Sequence, residues 1–306
     1  MATAYIPHAG PGFEALMAEI DATLAAAGKE IPSRPLLAVR EVSLRYEISI
    51  PLSGDSAGLP EDLKKHAPLS EAIRKWYDDH YGERLKEDPC PGRSVLVIDD
   101  DLYVIRIPRI FGGAQFVISR HYLPPPGIGR KLANCNVVQL VEGMTPAKAL
   151  RLSNDALTEI AQAFERALPA SYILESTQHE LMYFARGDVV TAVNNLMDRS
   201  GRFGESKWAS LQAAEKTLKA AIVLEGARFR HTHNLALLFQ KLEELGIAIA
   251  YDEFVTAIQC DPKIRYGAES CTRAQALKAH QSSLDLVNAL ASAGAKFASG
   301  LGGRKS

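Results

Sequence analysis

Residues 210–234, SLQAAEKTLKAAIVLEGARFRHTHN, decide how this chain is read, because they join an alanine-rich helix to a short turn crowded with arginine and histidine. Leu211, Ala214, Leu218 and Ala221 recur at three- and four-residue spacing, which predicts an amphipathic helix. Glu215 stands four residues before Lys219, the order that favours an ion pair along a helix face, and Gly226 supplies a stop. Arg228, Arg230, His231 and His233 follow in the turn. Leu235, Leu238, Phe239 and Leu242 give the apolar stripe of a further helix. Thr232 is its expected N-cap, which puts His233 and Asn234 in a first turn where backbone N–H groups lack partners. The stretch reads as a scaffold helix feeding a cationic site.

Working outward, DVVTAVNNLM at 188–197 is also helical, and a last long helix is expected from Thr272 to about Ala293. Thr272 and Gln275 stand at the spacing of a capping box. The second half is therefore nearly all helix. In the first half, Phe13, Leu16, Met17, Ile20 and Leu24 place a helix over 11–27, ended by Gly28. Val42, Leu44, Tyr46, Ile48 and Ile50 alternate with polar residues and predict a strand with one wet face. A helix follows over 70–81, grouping Ile73, Trp76, Tyr77 and His80.

The apolar runs SVLVI at 94–98 and LYVIRI at 102–107 are separated by Asp99, Asp100 and Asp101, the composition of a tight hairpin. Strands at 115–119 and 136–141, divided by the Pro-Pro-Pro-Gly run at 124–127, are expected to extend its sheet, and 153–168 returns to helix. The fold class expected is α+β. A mixed domain with a mainly antiparallel sheet occupies residues 1–172, an all-α bundle 173–299 and a disordered tail 300–306, with the boundary placed in 169–177.

At 306 residues, with 47% hydrophobic and 23% charged residues, the chain is ordinary for a protein with a sizeable core, and its length suggests about two domains. A formal net charge of -1 gives no global attraction to nucleic acid or an anionic membrane, so any such binding must come from a local patch. Cys90, Cys135, Cys260 and Cys271 form no Cys-x-x-Cys pair, which argues for reduced thiols. No apolar run approaches the roughly 20 residues that span a bilayer, and no secretory signal opens the chain. A cytoplasmic protein without membrane contact is expected.

Three strings carry a family resemblance: QAAEKTLKA at 212–220, HNL at 233–235, and IRYG at 264–267 ahead of the last long helix. On these the chain resembles the HEPN family, the higher eukaryotes and prokaryotes nucleotide-binding domain. Many of its members show a Q-A-A-E-K-A-L-K-like helix, a glycine, His-Asp-Leu, and an Arg-Tyr pair before the last helix. The resemblance covers roughly 180–295 and does not reach the first half. It departs at Asn234, where the family usually carries Asp. It implies a helical bundle that binds RNA or a nucleotide, pairs into a homodimer, and serves phage defence or a toxin–antitoxin pair. An antitoxin or a nucleotidyltransferase is the implied partner.

Arg228 and His233 have the R-x-x-x-x-H spacing of the family's ribonucleases, which cut RNA without a metal. Histidine can take the 2′-hydroxyl proton near neutral pH, and arginine can steady the phosphorane-like transition state. In those members, however, the motif opens the last long helix, so His233 can equally be a capping residue that holds the loop. Arg230, His231, Asn234, Arg265 and Tyr266 complete the expected nucleic-acid or nucleotide contacts, provided the bundle folds back on itself. No metal site is expected: His231 and His233 lie two apart with no third ligand, and the three aspartates at 99–101 read as a turn. No cofactor is called for. Three classes stay open: a ribonuclease, a non-catalytic RNA or nucleotide binder, and an assembly module. Clustered Arg and His favour the first two, and near-neutral charge favours the third.

Overall fold

A computed structural model describes residues 8–52, 60–86, 90–110, 113–124 and 132–298. Two compact units emerge, Met1–Asp88 and Pro89–Ser306.

In the first unit, helix α1 (Pro11–Ala26) forms where expected and buries Phe13, Leu16, Met17, Ile20 and Leu24, with Gly28 at φ +69 in the turn that follows. The strand expected over 42–50 is instead helix α2 (Arg34–Tyr46), ended by Glu47 in the left-handed conformation. Alternation puts Val42 and Leu44 on one face, whereas a helix turns them about 200° apart. Val42 is fully buried with Ala38 and Val39, and Leu44 is 61% exposed. Three- and four-residue spacing thus won over period two. After the short α3 (Glu61–Lys64), helix α4 (Ala67–Tyr81) buries Ile73, Trp76 and Tyr77 and stacks His80 on Trp76. Asp21 accepts from the Tyr81 hydroxyl and pairs with Arg34 at 3.3 Å, stitching the three longer helices together. The described residues of this unit hold no strand, so the sheet of the α+β fold lies in the second unit.

There, β1 (Gly92–Ile98) and β2 (Asp101–Ile107) form the expected antiparallel hairpin with Ile98 opposite Asp101. Asp99 and Asp100 have φ of +50 and +66, the pair of positive angles that a two-residue hairpin turn matching the strand twist requires. Strands β3 (Gly113–Val117) and β4 (Leu132–Asn136) do not extend this hairpin; they pair in parallel as a separate sheet. The strand expected over 136–141 is replaced after Asn136 by a tight helical turn, Val137–Leu140. Asn136 is the reason. Its buried amide accepts from the N–H of Ser119 and Val138 and donates to the carbonyls of Ser119 and His121, which holds the chain in a bend. An isolated β-bridge, Ile105 to Val141, and the bond from the Glu142 N–H to the Val104 carbonyl link this region to the hairpin. The proline run beyond Pro124 and the tail at 300–306 lie outside the described residues.

Past α5 (Pro146–Ala149), helix α6 (Asn154–Ser176) runs straight through Pro169 and residue 172, where the domain boundary was expected. Proline removes one helical N–H, but Ala167, Ala170, Ile173 and Leu174 stay buried and carry the helix on. Leu96, Ile105 and Ile107 of the hairpin share a core with Ile160, Phe164 and Leu174 of α6 and with Met182 and Val189 of α7 (Glu180–Met197). Val95 and Val104 face the other way, into Val193, Leu196 and Ala276. Both faces of the hairpin are covered, which explains its unbroken apolar runs.

The remaining helices are α8 (Phe203–Leu224), α9 (Leu235–Glu244), α10 (Asp252–Ile258) and α11 (Arg273–Ser292). The Thr272–Gln275 capping box is present. Asn234 rather than Thr232 caps α9, its side chain accepting from the Leu237 N–H, so His233 and Asn234 precede the helix instead of lying in its first turn.

One long-range bond ties α11 to the hairpin. His280 is fully buried, and its Nε2 accepts from the Val95 N–H at 3.3 Å and lies 3.2 Å from the Ser94 hydroxyl. Burial lowers its pKa to about 4, with the Arg166 charge adding to the effect. The unfolded chain therefore takes up a proton below about 6.5 that the folded chain refuses until about 4, so stability falls as pH drops through that window. Between pH 7 and pH 5 this one residue should cost about 2 kcal/mol. Urea unfolding at the two pH values checks it: His280→Leu should show a correspondingly smaller drop than the native chain.

Candidate nucleic-acid interface

Helix α8 is expected to be amphipathic, but it is buried on nearly every side. Ala213 and Ala220 join the core around the hairpin, while Leu211, Ala214, Leu218, Ala221 and Ile222 pack with α9 and α11. Alanine makes this possible, because small side chains let neighbouring helices close in from both directions. Glu215 and Lys219 are consequently only 5% and 8% exposed, not the surface pair their spacing predicts.

A carboxylate and an ammonium so placed must find partners. Glu215 Oε1 accepts from Lys219 Nζ at 2.6 Å, while Oε2 accepts from Gln212 at 3.4 Å and from His233 Nδ1 at 2.7 Å. Because a carboxylate only accepts, Nδ1 carries the proton of that contact. The other imidazole nitrogen is left on a side chain 62% exposed. Lys219 also lies over the Phe229 ring at 5.2 Å.

The turn is gripped from a second side. Gln259, just past α10, donates to the His233 carbonyl and accepts from the Leu235 N–H. Trp208, near the start of α8, lies 5.9 Å from the His233 ring. The Arg265 guanidinium stacks 4.6 Å over Trp208 and 5.0 Å from the Tyr266 ring, and Tyr266 is 77% exposed. Arg265 and Tyr266 belong to a tight turn, Pro262–Tyr266, that lies directly on α8. Gly204 permits this approach, since a Cβ there would collide with the Ile264 carbonyl oxygen.

The structure thus brings together His233, Arg265 and Tyr266 and adds two residues that sequence reasoning missed, Trp208 and Gln259. Trp208 had a signal: positions 208, 212, 215 and 219 form one stripe of α8. Gln259 had none. Arg228 and Arg230 lie elsewhere, lining a cleft of about 330 Å³ with Leu237, Lys241 and Glu244 of α9. Arg228 and His233 have different neighbours. His231 sets its ring edge-on to Phe229, and Asn234 is a helix cap. At the start of the last helix, Arg273 is exposed, but the histidine further along it is the buried His280, already engaged by the hairpin. Among the described residues no group of three His, Cys, Asp or Glu side chains could hold a metal ion.

Two substitutions probe this packing. Gly204→Ala would normally favour a helix, yet here it should cost about 1–3 kcal/mol and lift Arg265 off Trp208; the unfolding midpoint and the tryptophan emission report the two effects. Glu215→Ala leaves Lys219 buried without its partner and should cost about 3–5 kcal/mol, with Glu215→Gln costing less. Denaturant unfolding of both variants checks the order.

No curated protein and no solved structure matches the chain. No helix among the described residues is long and apolar enough to cross a membrane. The family model of the HEPN domain matches residues 179–281, from the N-cap of α7 through α8, α9 and α10 into α11. That segment contains the stripe of α8, the His233 turn and the Arg265 turn, so the C-terminal half of this chain carries a HEPN domain.

Proposed function

We propose that the HEPN segment binds single-stranded RNA or a nucleotide, without cutting it, at the corner made by Trp208, His233, Arg265 and Tyr266. HEPN domains as a class have nucleotide- and RNA-related roles, which sets the general chemistry. The observation that carries the reading is the Arg265 guanidinium lying 4.6 Å over the Trp208 ring and 5.0 Å over the exposed ring of Tyr266. Arg265 has no ion-pair partner among the described residues, so its charge is available to a phosphate. An exposed aromatic face beside it suits a base, and stacking of this kind tolerates any sequence. Arg230 lies three residues from His233, within about 10 Å along the chain, so its cleft supports a neighbouring phosphate contact. With a formal net charge of -1, the attraction is local.

Fluorescence anisotropy with a labelled single-stranded RNA 12-mer tests this. Arg265→Ala and Tyr266→Ala should each weaken binding by about 5- to 150-fold, with affinity falling steeply as salt rises. Unchanged affinity in both variants rules the corner out.

One feature favours a second reading, metal-independent RNA cleavage. Glu215 holds His233 as a general base is held, by hydrogen bonding one imidazole nitrogen and leaving the other free. Under that reading the labelled RNA is cut by the native chain and left whole by His233→Ala and by Arg228→Ala, the latter at unchanged melting temperature. The resemblance also supports pairing into a cytoplasmic homodimer within a toxin–antitoxin or phage-defence setting, beside an antitoxin or a nucleotidyltransferase. A light-scattering mass of twice 33.3 kDa is the expected outcome for the dimer.

A further inference from the structure

Residues 228–233, between α8 and α9, belong to neither helix nor strand, and their side chains alternate from one side to the other. Phe229 lies under Lys219, His231 sets its ring edge-on to Phe229, and His233 reaches Glu215, so the odd-numbered residues face α8. Arg228 and Arg230 take the other side and line the cleft of about 330 Å³ along α9. We infer that this segment is a track for a ribose-phosphate backbone, so that the ligand is a single-stranded oligonucleotide spanning several phosphates and not a mononucleotide. The inference rests on the corner proposed above and names which of its two ligand classes the site takes.

Charge, main chain and reach each support it. Glu244, the carboxylate that lines the cleft, is already paired with Lys241 at 2.7 Å. Arg228 and Arg230 are exposed and have neither an ion-pair nor a hydrogen-bond partner among the described residues, so the charge of two guanidinium groups is unopposed there. The backbone N–H groups of residues 228–233 likewise make no hydrogen bond among the described residues, whereas those of Ala227, Asn234 and Leu235 on either side are bonded. Free N–H groups beside guanidinium groups suit phosphate oxygens, which accept from both. The five residues from Arg228 to His233 span at most about 17 Å. A stacked strand advances about 3.4 Å per nucleotide, so about five nucleotides cover that distance and a mononucleotide touches one end only. Contacts at both ends of one strand reinforce each other as linked sites do.

End-labelled oligouridylates of about two to ten nucleotides, titrated with the full chain and read by anisotropy, test the track. Affinity should rise at least about tenfold from the dinucleotide to the hexanucleotide and level off beyond it. Arg228→Gln combined with Arg230→Gln should erase that rise at unchanged melting temperature and make the slope of log affinity against log salt shallower by about 1.4. Arg265→Ala should weaken every length, the dinucleotide included. The inference is overturned if native affinity does not grow with length, if the double variant keeps the growth, or if oligoglutamate of equal charge displaces the hexanucleotide as well as unlabelled RNA does. A length-independent affinity that Arg265→Ala still lowers removes the track and leaves the corner standing. An Arg265→Ala variant that binds every length as the native chain does removes both.

Discussion

The buried carboxylate of Glu215 is the constraint on which the site depends. Helix α8 has core on both sides, so an acid at its centre has no water to turn to. Its partners must come from its own stripe and from whatever loop reaches it. Lys219 and Gln212 answer from the helix, and His233 answers from the turn that follows it. The turn is thereby fixed to the scaffold by electrostatic need more than by its own conformational preference. Gln259 completes the grip through the backbone. Trp208, one stripe position further along, then sets where the Arg265 turn can stack.

Much of the fold was legible in the sequence because local rules and packing agreed. The helices beginning at Pro11 and Ala67, the Asp99–Asp100 hairpin turn and the Thr272 capping box each follow from residues a few positions apart. Where the reading failed, a distant contact outweighed a local pattern. Val42 packs with Ala38 and Val39 on a helix, so the alternation with Leu44 was coincidental. Pro169, at the start of the stretch where the domain boundary was placed, is an interior residue of a helix held by its buried face. Asn136 bends the chain through four side-chain bonds, and nothing in its immediate sequence announces Ser119 and His121, its partners in three of them.

The site was legible in part. His233 could be named because its turn interrupts apolar stripes, and Arg265 and Tyr266 because IRYG at 264–267 resembles the family's Arg-Tyr pair. Which cations converge could not be named. Arg228 and His233 are close in sequence yet have different neighbours, whereas Arg265, far along the chain, stacks on the tryptophan beside His233. Burial of the Glu215 and Lys219 pair was hidden for a related reason. Its spacing is the same on a wet face and a dry one, and only the alanines around it hint at the crowding.

The bond between His280 and Val95 spans 185 residues of chain. During synthesis the hairpin leaves the ribosome long before α11 does, and until that helix arrives one of its apolar faces is covered only by Val193 and Leu196 of α7. Closing so long a loop is slow, and exposed strands with free edges are prone to pair with the wrong neighbour in the meantime. The same contact that seals the finished bundle therefore leaves part of the hairpin's apolar surface open until translation ends.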